Sequence, residues 1–214
     1  MHRSTLAFVL LAAAICLASA TTSPAEFVRD SCRGTRYPAL CEQSLVAYAP
    51  AVHRSKRELA RTALAVSADR ARSASAFVSR ISSGGQTKVR SREAGAVRDC
   101  IETMHDSVDR LRQSVEEMGR MGRARSPRFA WHLSNVQTWV SAALTDETTC
   151  LDGISQYAGP AVRAAIRKKV VEVAQVTSNA LALLGIHSEQ KVQRWVRDPL
   201  ADRDTGYYAT GCDV

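Results

Sequence analysis

Apolar residues recur along this chain in steps of three and four. The clearest run is Ala94, Val97, Ile101, Met104, Val108, Leu111, Val115 and Met118, the spacing of one buried face of an α-helix. A second run, Phe129, Leu133, Val136, Val140, Ala143 and Cys150, begins where Ser126-Pro127 can cap a helix and enter its first turn. A third, Val162, Ile166, Val170, Val173, Thr177, Ala180 and Leu184, stops at Gly185. Before these, a segment from about Arg54 to Ser83 holds no Gly or Pro and ends at Gly84-Gly85, a strong break. Gly119, Gly122 and Pro127 separate the first run from the second, and Gly153, Gly159 and Pro160 separate the second from the third. Four long helices joined by short Gly/Pro connections predict an up-down-up-down four-helix bundle over about 54–185.

Shorter signals precede the bundle. Ser23-Pro24 with Glu26 reads as a capped helix start, and Gly34 ends that piece. Tyr37-Pro38 opens a second short helix, about Pro38 to Tyr48, with Pro50 at its end. The two form a helical hairpin over about 24–50. At the very start, His2 and Arg3 precede thirteen apolar residues from Leu6 to Ala18, followed by the small residues Ala18-Ser19-Ala20. This is the pattern of a secretory signal peptide over 1–20, and the run is too short to span a bilayer. The domain is expected over 21–186, and 187–214 forms a tail without an assigned role.

Composition supports the helical reading: only 6% of the residues are aromatic, and Ala, Arg, Ser and Val dominate. The expected class is all-α. The 29 Lys+Arg against 21 Asp+Glu give a net charge of +8, which on its own points toward nucleic acid. An exported protein rarely meets nucleic acid, so the leader turns the expectation to a soluble secreted protein with neither a nucleic-acid nor a membrane partner. The charge is uneven. Nine Lys/Arg and two acids lie between Arg54 and Arg90, and Arg120, Arg123, Arg125 and Arg128 cluster before the third long helix. Such clusters act either as a solvated face or as an electrostatic attractant for an anionic polymer or an acidic enzyme rim.

Cleavage after Ala20 removes Cys16 and leaves Cys32, Cys41, Cys100, Cys150 and Cys212. In an oxidising compartment these are disulfide formers sooner than nucleophiles. Cys100 lies 18 residues before Met118 and Cys150 lies 21 after Phe129, about 27 and 32 Å from their shared turn. A Cys100–Cys150 bridge therefore suits an antiparallel pair, and Cys32–Cys41 would staple the hairpin. Four cysteines still allow three connectivities.

Signs of catalysis are sparse. Glu102-x-x-His105 has the spacing of half a di-metal site, but no second copy follows. No zinc spacing, Gly-x-Ser-x-Gly elbow or phosphate-binding glycine loop occurs. The acid pairs Glu116-Glu117 and Asp146-Glu147 read as solvated helix faces. No metal or other cofactor is expected, and neither is an enzyme.

Several stretches together are similar to one family. They are Ser31-Cys32, Thr35-Arg36-Tyr37-Pro38 and Cys41; Val97-Arg98-Asp99-Cys100; the run from Ser134 to Thr145 continuing to Thr149-Cys150-Leu151-Asp152-Gly153; and Thr177 to Leu183. Over about 24–186 the chain resembles the plant invertase and pectin methylesterase inhibitor family, closer to the pectin methylesterase inhibitors. The resemblance implies a hairpin followed by a four-helix bundle, with disulfides Cys32–Cys41 and Cys100–Cys150. It also implies a free-standing secreted inhibitor that forms a 1:1 complex with pectin methylesterase in the cell wall and lies across the pectin-binding cleft. Thr149 matches a family position at the enzyme contact, and Asn135, Thr138 and Ser141 are further contact candidates. Pro127-Arg128-Phe129 resembles the Pro-Lys-Phe motif of invertase inhibitors, with Arg in place of Lys, so acid invertase is the alternative target. A third reading is a non-inhibitory secreted bundle that binds anionic polysaccharide, and weak electrostatic binding to pectin is compatible with any of these.

Overall fold

A computed structural model describes residues 23–83, 91–122 and 126–197. The proposed leader, Arg123, Arg125 and Cys212 lie outside them.

The chain enters at Ser23, whose hydroxyl accepts from the Glu26 amide at 3.2 Å while the Glu26 carboxylate accepts from the Ser23 amide at 2.8 Å. This capping box, with Pro24 in the first turn, starts α1, Pro24–Cys32. Helix α2, Pro38–Leu45, opens on Pro38. A 3-10 turn, Val46–Tyr48, and the short α3, Ala49–Val52, continue it. Pro50 does not end the hairpin as the sequence suggested. It sits in the first turn of α3, where its missing N–H costs nothing. The chain reverses at His53 and Arg54, both left-handed with φ of 48° and 57°.

The four long helices follow: α4, Lys56–Ser83; α5, Ser91–Arg120; α6, Pro127–Tyr157; and α7, Pro160–Arg197. Each packs beside the next, and α7 returns to α4, closing an up-down-up-down four-helix bundle behind a helical hairpin. Two of the expected helix ends shift. Gly153 lies inside α6, and α7 runs through Gly185 to Arg197. A single glycine inside a long helix costs only about 1 kcal/mol relative to Ala, and no proline follows Gly185 until Pro199. No helix among the described residues is long and apolar enough to cross a membrane.

The core fills with different residues from each helix. Helix α4 contributes mostly small ones, Ala60, Ala63, Ala68, Ala71 and Ala74, with Leu59, Leu64 and Val78. On α6 the buried positions are Phe129, Leu133, Val136, Val140, Ala143, Glu147, Cys150 and Ile154, an unbroken alternation of four and three. On α5 the centre of the stripe is Val97, Cys100, Met104, Ser107, Leu111, Ser114 and Met118, while Ile101, Val108 and Val115 are only partly buried. Two serines thus occupy core positions that an apolar count passes over. Ser114 donates to the Arg110 carbonyl at 2.8 Å, which satisfies its hydroxyl within the helix.

Disulfides join Cys32 to Cys41 and Cys100 to Cys150. The first staples the hairpin, and the second ties α5 to α6 about a third of the way along α5 from its start. The hairpin is fixed to the bundle by polar contacts. The Asn179 amide on α7 accepts from the Tyr37 N–H and donates to the Tyr37 carbonyl, each at 3.0 Å. Arg70 of α4 pairs with Glu172 of α7 and reaches Ser44 of α2. Arg57 donates to the carbonyls of Met118, Met121 and Gly122, supplying cationic donors where α5 has run out of its own.

Candidate functional site

An exposed face of α6 gathers most of the contact candidates. Ser134, Thr138, Ser141, Thr145, Thr148 and Thr149 are all exposed, and Trp131 begins the same face at 61% exposure. Their spacing of three and four places them on one side of the helix over about 27 Å. Every exposed residue from Trp131 to Thr149 is uncharged. The Trp131 ring stands edge-on to His132 with centroids 5.0 Å apart.

Three of the four candidates, Thr149, Thr138 and Ser141, share this face. Asn135 does not join them. It is half-buried, turned toward α5, and donates to Glu117 at 3.0 Å. Glu117 also holds His132 Nδ1 at 2.8 Å and Arg120 at 3.3 Å, so this buried carboxylate latches the end of α5 to the start of α6. The Asn135 hydrogen bond, aided by His132 and Arg120, keeps its pKa below the ordinary value against the opposing effect of burial.

The sequence reading put Glu147 on a solvated face, and the structure buries it fully. It accepts from Ser107 of α5 at 2.8 Å and from Thr177 of α7 at 3.0 Å, both at Oε1. Oε2 has no hydrogen-bond partner among the described residues. Burial pushes this carboxyl up to about 8, so at neutral pH it is mostly the uncharged acid. Glu147 completes the four-three alternation between Ala143 and Cys150, and that alternation was the available signal. The solvated reading of the acid pairs is thus half right. Glu116 is exposed and Asp146 half-buried, but Glu117 and Glu147 face the interior because the helical period carries them inward. The two buried carboxylates serve separate helix junctions and do not form a dyad.

The invertase-type motif is split by the fold. Ser126 caps α6 by accepting from the Phe129 amide at 3.2 Å, Phe129 is buried in the core, and Pro127 and Arg128 are exposed. Glu102 and His105 both face solvent. Among the described residues no three His, Cys, Asp or Glu side chains converge to hold a metal ion. The crevice between hairpin and bundle, lined by Cys41, Ser44, Leu45, Ala63, Val66, Val176 and Asn179, leaves a volume of about 10 Å³, room for about one water molecule.

Comparison with known proteins decides the family. The model of the plant invertase/pectin methylesterase inhibitor family matches residues 26–183. The chain belongs to that family. Pectinesterase inhibitor 9 of Arabidopsis thaliana is 48% identical over 197 residues, covering 88% of this chain and 96% of the relative. A 21 kDa protein of Daucus carota is 45% identical over 189 residues, covering 86% and 94%. The crystal structure of a mutant form of a pectin methylesterase inhibitor from Arabidopsis superposes with a TM-score of 0.57 at 21% identity, covering 72% of this chain and 92% of that one. At that identity the likeness speaks for the fold, the helical bundle of the inhibitor family. Membership makes this chain an enzyme inhibitor and not an enzyme.

Proposed function

We propose that this protein is a secreted inhibitor of pectin methylesterase. It forms a 1:1 complex in which the exposed face of α6 lies across the pectin-binding cleft, limiting demethylesterification of cell-wall pectin. The observation that carries the reading is the uncharged stripe from Trp131 to Thr149. A face without exposed charge costs less to cover with a partner than a charged one, and its one large exposed aromatic is the residue type enriched among binding hot spots. The relatives named as pectinesterase inhibitors support the choice of target. The apolar leader supports export to the apoplast. Weak electrostatic attraction to pectin fits the basic charge.

Acid invertase has less support as the target. With Phe129 in the core, only Pro127 and Arg128 of its motif stand at the surface.

The test is a titration of purified mature protein into a plant pectin methylesterase and, in parallel, an acid invertase. Loss of esterase activity with a break at one inhibitor per enzyme, and a complex of matching mass by light scattering, is the expected result. An active esterase at saturating inhibitor would overturn the reading, and inhibition of invertase alone would transfer it to the alternative.

A further inference from the structure

The bundle is divided electrically along its length. Between them α4 and α7, the latter counted to Gly185, carry ten Lys/Arg and three Asp/Glu, a net of +7. Helices α5 and α6 carry six Lys/Arg and ten Asp/Glu, a net of −4, or −3 with Glu147 protonated. Since α4 packs beside α7 and α5 beside α6, the two pairs form opposite sides of the bundle, and the contact face of α6 belongs to the less basic one.

The uncompensated cations concentrate at one end. The Arg70–Glu172 pair sets the register of the antiparallel helices α4 and α7. Ten residues further along α4, about 15 Å, Arg80 comes level with the start of α7. There Arg163, Arg167, Lys168 and Lys169 are exposed. Three of them are consecutive, so they span about 200° of the helix surface. The three acids on α4 and on α7 as far as Gly185 already face cations of their own: Glu58 faces Arg61, Asp69 faces Arg72 and Glu172 faces Arg70. The Arg163 guanidinium reaches the Ala158 carbonyl at 2.8 Å and keeps its net charge. Arg80, Arg167, Lys168 and Lys169 have no acidic partner among the described residues.

We propose that this end of the α4/α7 side is a binding surface for a polyuronate, the de-esterified form of pectin. The occupant follows from the esterase target proposed above. Hydrolysis of each methyl ester turns a neutral group into a carboxylate, so the product polymer carries regularly repeated negative charge and the substrate does not. A single exposed ion pair is worth little, but several cations meeting one polymer act multivalently. The surface reads the charge of the polymer and so its extent of de-esterification. The inhibitor then collects where the esterase has already worked, with its α6 face left open on the other side.

Pelleting with polygalacturonate, highly methylesterified pectin and anionic phospholipid vesicles tests this on the mature full-length chain. The expected result is retention by polygalacturonate at low salt, at least about fivefold weaker retention by methylesterified pectin, and release as added salt shortens the screening length. The triple variant Arg167→Gln/Lys168→Gln/Lys169→Gln should lose most of that retention and inhibit the esterase as before. Equal retention by both polymers, retention indifferent to salt, an unaffected triple variant with native circular dichroism, or tighter binding to vesicles would each overturn the proposal. The esterification and salt comparisons use only the native chain and hold if the variant fails to fold. Polymer binding by a chain that does not inhibit the esterase would sink the inhibitor reading and leave this surface standing.

Discussion

Asn179 of α7 and Tyr37, 142 residues apart, exchange two hydrogen bonds through the Tyr37 backbone, N–H to Oδ1 and Nδ2–H to O, each at 3.0 Å. A side-chain amide thus supplies the acceptor that the Tyr37 N–H lacks just before α2, and adds a second donor to a carbonyl that already accepts from the Cys41 amide. Asn179→Leu keeps the side-chain volume but leaves the Tyr37 N–H unmatched, while the Tyr37 carbonyl keeps its bond from the Cys41 amide at 2.9 Å. It should cost about 1–3 kcal/mol, read as a lower urea midpoint, with proteolysis beginning in the hairpin.

Stability should pass through a maximum in mildly acid solution. Glu147 binds a proton more tightly folded than unfolded. Its contribution is complete below the ordinary Glu value, falls as pH rises, and is gone above about 8. Glu117 is shifted the other way, so its contribution is present above the ordinary value and disappears as pH falls through its lowered one. Thermal unfolding from pH 3 to 9 should show both limbs. Glu147→Gln should flatten the alkaline limb, and Glu117→Gln the acid one. An alkaline limb unchanged in Glu147→Gln would refute the assignment.

Removing the two disulfides should have unequal effects. The Cys100–Cys150 loop spans 50 residues and the Cys32–Cys41 loop 9. Chain entropy assigns them about 4 and 2.5 kcal/mol. Cys100→Ser/Cys150→Ser should therefore lower the denaturant midpoint more than Cys32→Ser/Cys41→Ser.

Thr149 is exposed in mid-helix, so Thr149→Trp should fold normally and weaken esterase inhibition at least about tenfold by obstructing the interface. Trp131→Ala should also weaken inhibition while leaving the melting temperature nearly unchanged, because the ring is largely outside the core. Full inhibition by both folded variants would remove the α6 face from the complex.

Much of this architecture was legible from spacing. The alternation on α6 and α7 located their buried faces, and the cysteine spacing matched the observed level of the α5–α6 tie. What escaped was polar. Glu147, Ser107 and Ser114 occupy core positions at the correct period, but a count of apolar residues skips them, and only three-dimensional neighbours show that Ser107 and Thr177 satisfy the acid. Asn135 sat at the right interval for the contact face, yet Glu117 draws it toward α5. Gly153 and Gly185 read as stops because a local rule cannot weigh the packing that carries a helix through them. The opposition of charge between α4/α7 and α5/α6 needed the order of helices around the bundle, which no single segment contains.

The hydroxyls on α6 have a directional consequence. Thr138, Thr145 and Thr149 donate to the carbonyls of Ser134, Ser141 and Thr145, and Thr148 donates to those of Leu144 and Thr145. Each has committed its one proton to its own helix. Outward these threonines present oxygen lone pairs and methyl groups, so their hydrogen bonds to a docked protein must come from N–H or O–H groups on that protein. A partner surface of carboxylates and bare carbonyls would have to find its donors at Ser134, Ser141 and the Trp131 indole instead.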